Sequence, residues 1–155
     1  VGGQSLWICG HSLGAALATL TAAKLKKQDT AINGIYTYGE PRSGDPDFAR
    51  QYDAVLKERH FRFANNNDAV TRIPLEHFNF QDVNLDYAHV GQFIYITTGQ
   101  TLSDDIGTWG LRADRALGHI QAGATGDFFD GITDHAITQY IKALEINLDK
   151  NPFAD

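Results

Sequence analysis

Short apolar runs alternate with segments of helical spacing along this chain, and that alternation sets the first expectations. Leu6-Trp7-Ile8-Cys9 predicts a buried strand, with Cys9 packed as a small hydrophobe. From Leu13 to about Lys27, residues such as Ala15, Ala16, Leu17, Ala18, Leu20, Ala22 and Leu25 predict a helix with a broad face for a sheet. Lys24, Lys26 and Lys27 suit its C-terminal end. The residues from Gly10 to Gly14 must then turn the chain from strand to helix. Ile32 to Tyr38 predicts a second strand, with Asn33-Gly34 at its entry. Asp45-Pro46 is an N-cap followed by proline at the first helical position, opening a helix to about Glu58 that buries Phe48, Tyr52, Val55 and Leu56. His60 to Ala64 predicts a third strand.

Beyond it, Asn65 to Pro74 is a polar, asparagine-rich loop, and Phe78 to Asp86 reads as an irregular excursion. His89 to Thr97 predicts a further strand, followed by a turn and a short polar strand or loop ending at Asp105. Trp109 to about Ala122 predicts a helix broken by Gly123-Ala124-Thr125-Gly126. Thr133 to Leu148 predicts the last helix, with Ile137, Tyr140, Ile141, Leu144 and Leu148 on one face, ended by Asn151-Pro152. Strands alternating with helices imply an α/β class with a mostly parallel sheet flanked by helices.

Bulk properties narrow the partners more than the fold. The 155 residues carry a formal net charge of −6 with no basic stripe, which argues against nucleic acid as a partner. No run is long and apolar enough to span a bilayer, and one cysteine excludes an internal disulfide. The chain has no methionine and begins at Val1, so it is expected to be one partial domain, residues 1–155, whose N-terminal half is absent. The compartment stays open for the same reason.

The chemistry concentrates at Gly10-His11-Ser12-Leu13-Gly14. A serine hydroxyl is a weak nucleophile and must stand on a tight turn where a base reaches one side and substrate the other; glycines at 10 and 14 remove side chains that would clash. Ser12 is then at a helix N-terminus, and the Leu13 amide is placed as an oxyanion donor. The bland alternative is a serine N-cap in a glycine-rich turn. Asp68 follows the third strand, so it exits at the sheet edge that meets Ser12. Among the six histidines, His11 should point away from Ser12, His60 and His89 sit at strand positions, and His77 and His119 have nothing local to recommend them. His135 stands in a glycine-containing loop at the start of the last helix and completes the chain order Ser, Asp, His of α/β-hydrolases.

Five motifs together resemble the class 3 lipase family: Gly10-His11-Ser12-Leu13-Gly14-Ala15-Ala16-Leu17-Ala18, Tyr38-Gly39-Glu40-Pro41-Arg42-Ser43-Gly44-Asp45, Asn67-Asp68-Ala69-Val70-Thr71-Arg72-Ile73-Pro74, Tyr87-Ala88-His89-Val90-Gly91, and Asp134-His135 with Tyr140. The resemblance implies an α/β-hydrolase fold and a carboxylic-ester hydrolase acting on acylglycerols or related lipids, at a lipid-water interface. It implies Ser12 as nucleophile, His135 as base and acid, Asp68 as the residue orienting the imidazole, and His89 in support of the Asp68 loop. No metal or organic cofactor is required. Family members carry a second oxyanion donor and a lid upstream of the elbow, so residues 1–155 alone are expected to be a poor enzyme with an unpaired strand edge prone to association. A thioesterase or small-ester hydrolase of the same fold, and a catalytically silent fragment, are the competing expectations.

Overall fold

The computed structural model describes residues 3–80, 83–108, 110–115 and 133–148. Among them, five strands share one sheet in the order β1 (Trp7–His11), β2 (Gly34–Tyr38), β3 (His60–Asn65), β6 (Gln92–Ile96) and β7 (Leu102–Ser103). The first four run parallel and β7 returns antiparallel to β6. Parallel pairing requires crossovers, and helices α1 (Leu13–Lys27) and α2 (Pro46–Leu56) supply the first two. The register puts His11 beside Tyr38, Tyr38 beside Phe63, and Asn65 beside Ile96. The carboxyl ends of four strands therefore finish along one edge.

Two cores lie on opposite faces of the sheet. Beneath α1 and α2, Ala22, Ile32, Ile35, Ala49, Tyr52, Leu56 and Val90 pack together. On the other face, Phe63 and Ile96 pack with Tyr140 and Ala143 of the last helix, α3 (Ile137–Leu148). Successive residues of β2 serve the two sides, Ile35 one and Tyr36 and Tyr38 the other. A polar network is buried with the first core. The Tyr52 hydroxyl donates to His60 Nδ1 (3.0 Å), His60 Nε2–H to the Thr37 hydroxyl (2.9 Å), and that hydroxyl to Glu40 Oε2 (2.6 Å). Thr19 and Ser43 donate to Glu40 Oε1, each at 2.7 Å.

Several expectations are corrected. The stretch expected to be irregular holds two strands: β4 (His77–Phe80) pairs antiparallel with β5 (Val83–Asp86). β1 extends through Gly10 and His11, and Cys9 is exposed, because β1 is the edge strand and nothing described packs over that residue. β6 begins at Gln92, which leaves His89 in the loop before it. In α1 the small residues Ala15, Ala18, Thr19 and Ala22 are buried, whereas Leu13, Leu17 and Leu20 face outward. A stripe of alanines lets the helix axis come close to the sheet, and the leucines fall on the opposite side at i, i+4, i+7. Val55 of α2 is likewise exposed, as are Ile137, Ile141 and Leu148 of α3, which buries Tyr140 as expected and Ala143 beside it. Residues 110–115 are helical, the first part of the helix expected from Trp109; its remainder and the Gly123–Gly126 break lie outside the described residues.

Candidate active site

β1 delivers Ser12 into a strained turn. Its φ of 58° and ψ of −130° lie where non-glycine residues rarely go, and its N–H donates to the Tyr38 carbonyl at 3.0 Å. The turn closes so tightly that a Cβ on Gly10 would stand 2.2 Å from the Gly14 carbonyl oxygen, so only glycine fits at position 10. Gly14 is different: nothing lies within 4 Å of where its Cβ would be, so the expected clash at that position is absent. Leu13 opens α1, and the N–H of a first helical residue has no partner within the helix.

Three side chains far apart in sequence meet at the sheet edge. Ser12 Oγ lies 2.7 Å from His135 Nε2, and His135 Nδ1 lies 3.0 Å from each oxygen of Asp68. With Nδ1–H donating to the carboxylate, Nε2 is left to accept the Ser12 proton. Asp68 is fully buried, while His135 keeps part of its ring exposed. The carboxylate is held from all sides: Val70 N–H donates to Oδ1 at 2.8 Å and the Tyr140 hydroxyl to Oδ2 at 2.5 Å. Tyr140 in turn accepts the Asn65 N–H at 3.0 Å. Burial, and then the neighbouring Asp68 charge, push the Tyr140 phenol above its ordinary range and keep it a donor.

His135 is fixed through its neighbours as well. Asn65 Nδ2 donates to the Asp134 carbonyl (3.0 Å) and the Asn67 N–H to Asp134 Oδ2 (3.1 Å), tying the exit of β3 to the residue before His135. His89 Nε2–H donates to the Thr71 carbonyl at 2.8 Å, bracing the loop that carries Asp68.

Two residues at this site had gone unrecognised. His11 does not simply point away. Its ring stacks on His135 at 4.6 Å between centroids and 28° between planes, and its Nε2–H donates to the His135 carbonyl at 2.7 Å. The available signal was position: the residue before the nucleophile ends the same strand. Gly39, with φ +58°, lies under the acid and base, where a Cβ would stand 2.8 Å from Asp68 Oδ2 and 2.9 Å from His135 Nδ1. A glycine directly after an apolar strand was the clue.

A parallel sheet with helices on both faces, an elbow after β1 and an acid and histidine converging at the strands' carboxyl edge define an α/β-hydrolase fold. The Lipase (class 3) family model matches residues 2–78. Secreted mono- and diacylglycerol lipase A of Penicillium cyclopium is 36% identical over 93 residues, covering 60% of this chain and 28% of the relative. Phospholipase A1-II 1 of Oryza sativa is 34% identical over 105 residues, covering 63% and 23%. A crystal structure of a mutant form of MDLA from Penicillium cyclopium superposes with a TM-score of 0.51 at 33% identity, over 62% of this chain and 32% of that one. The chain belongs to the class 3 lipase family. It spans less than a third of the length of each of these relatives.

Proposed function

We propose that this chain carries the catalytic serine of a lipase-type ester hydrolase, acting through an acyl-enzyme on acylglycerols or related lipid esters. The reading rests on the hydrogen-bonded series Ser12–His135–Asp68, with distances of 2.7 and 3.0 Å. His135 takes the Ser12 proton as Oγ attacks the ester carbonyl, and the Leu13 N–H is a donor for the oxyanion. Protonated His135 then delivers that proton to the leaving alkoxide, and water repeats the sequence on the acyl-enzyme. Asp68 keeps Nδ1 protonated throughout. Apolar substrate is favoured by Leu13 and Leu17, exposed on α1 within its first two turns.

The test is made on the whole protein. A fluorophosphonate should label Ser12 in the whole protein, and S12A and H135A should abolish labelling. Hydrolysis of p-nitrophenyl esters should rise with acyl chain length; a preference for short esters or for thioesters would replace the lipid reading with the esterase or thioesterase one. Absence of labelling in the whole protein would leave the silent reading.

A further inference from the structure

Against the loop that follows Asp68 lies a cavity of about 150 Å³ whose polar walls come chiefly from Arg42, Arg62, Arg72, Arg115, Thr71 and His89. Four guanidinium groups at one cavity are unusual in a chain of net charge −6. Among the described residues, no carboxylate lies within ion-pair distance of any of the four. Glu40 and Asp53 act on Arg62 only from further away. Arg62 is almost fully buried; its Nε–H donates to the Val90 carbonyl at 3.2 Å and its guanidinium stands 4.8 Å from the centre of the Phe93 ring. The Nε–H groups of Arg72 and Arg115 are buried with no hydrogen-bond partner, and Nδ1 of His89, whose proton is on Nε2, is a buried lone pair that a hydration water can donate to.

We propose that this cavity is a binding site for a free tetrahedral oxyanion of the phosphate or sulfate class. Water alone could satisfy the unpaired N–H groups but could not offset their charge, and a buried cation without a counter-charge is costly. The volume equals about five waters, enough for one tetrahedral oxyanion and a hydration partner. Planar guanidinium forks match such an anion's oxygens. The field in the cavity has the matching sign. Burial and then the Arg62 charge pull the His89 imidazole down to about 3, and burial lowers Arg62 itself to about 10.

The cavity wall is the loop that carries Asp68. Arg42 Nη1 donates to the Arg72 carbonyl (2.5 Å) and the Pro74 carbonyl (2.7 Å), Arg72 Nη2 to Asn67 Oδ1 (3.2 Å), and the Thr71 hydroxyl to the Asp68 carbonyl (2.8 Å). An anion drawing Arg72 and Arg115 together stiffens the segment from Asn67 to Pro74. Any effect on turnover rests on the assignment of Asp68 above; the binding itself does not.

Thermal unfolding of the full chain is measured in inorganic phosphate and in chloride at matched ionic strength. Phosphate should raise the midpoint saturably, by about 5 °C, with half-saturation in the millimolar range. R115Q, at the half-buried rim, should weaken phosphate at least tenfold, and R62Q should do the same if it folds. Crystals grown in selenate should show an anomalous peak between Arg62 and Arg72. Equal midpoints in the two salts, a phosphate effect unchanged in R115Q, or an anomalous map with only water in the cavity would each overturn the proposal. Stabilisation by glycerophosphocholine and not by phosphate would also overturn it, since a lipid headgroup would then be the occupant.

Discussion

At the scale of single residues, the site is held by contacts whose removal has separable effects. D68N should preserve packing yet reverse the hydrogen bonding that keeps His135 Nδ1 protonated, and kcat is expected to fall by about 10⁴ with KM little changed. Y140F removes one of the bonds on Asp68, the 2.5 Å hydroxyl contact, without touching substrate. A bond to a charged group contributes about 1.5–3 kcal/mol, so kcat/KM should drop between about ten- and a hundredfold, measured beside an unchanged far-UV spectrum. H11F keeps a ring against His135 but loses the bond to its carbonyl. Its expected signature is a kcat loss of about fivefold with KM intact, and H11A, losing both, should be worse. G39A would place a methyl against Asp68 Oδ2 and His135 Nδ1 in a backbone conformation that alanine resists. Ser12, Asp68, His135 and Leu13 could be singled out from sequence because turn chemistry and chain order bear on them directly. His11 and Gly39 were marked only by their position at the strand ends, because what they do comes from what crosses over them from β3's loop and from the segment before α3.

At the scale of elements, strand and helix order was readable wherever apolar runs were bounded by turn residues, as in β1, α1, β2 and α2. The hairpin β4–β5 was hidden because Gln81-Asp82 is not one of the glycine-bearing pairs that announce a tight turn. Which side of a helix is buried was the weaker inference. In α1, leucines and alanines form two stripes, and the choice between them depends on how closely the helix meets the sheet. The Glu40 network belongs to this scale, since it joins α1, α2, β2 and β3 through Thr19, Tyr52, Thr37 and His60. Burial alone would raise the Glu40 carboxyl; the His60 ring 3.5 Å away and the bonds from Thr37 and Thr19 outweigh it, and the folded value lies below the ordinary 4.5. A depressed carboxylate contributes stability that is present above the unfolded value and lost as pH falls toward the folded one. Denaturant midpoints should therefore decline below about pH 4.5, and E40Q should flatten that decline while lowering stability at pH 7 by about 1.5–3 kcal/mol, the contribution of a hydrogen bond to a charged group.

At the scale of the whole molecule, the sheet and its two cores place the first two strands and α1 in local contact, but the site needs the far end of the chain. Ser12 and His135 are 123 residues apart. β1, α1 and β2 can associate through near-neighbour contacts, whereas the loop before α3 must dock across the finished strand ends, and long-range closure is slow. During refolding from denaturant, far-UV signal should recover first and fluorophosphonate labelling of Ser12 later; simultaneous recovery would show that α3 docks with the sheet. The His11 bond to the His135 carbonyl joins the strand that leads into Ser12 to the segment carrying His135. Under the proposed function, a chain in which the segment before α3 has not yet docked holds Ser12 without His135 beside it, and such a partly folded form is expected to be chemically quiet.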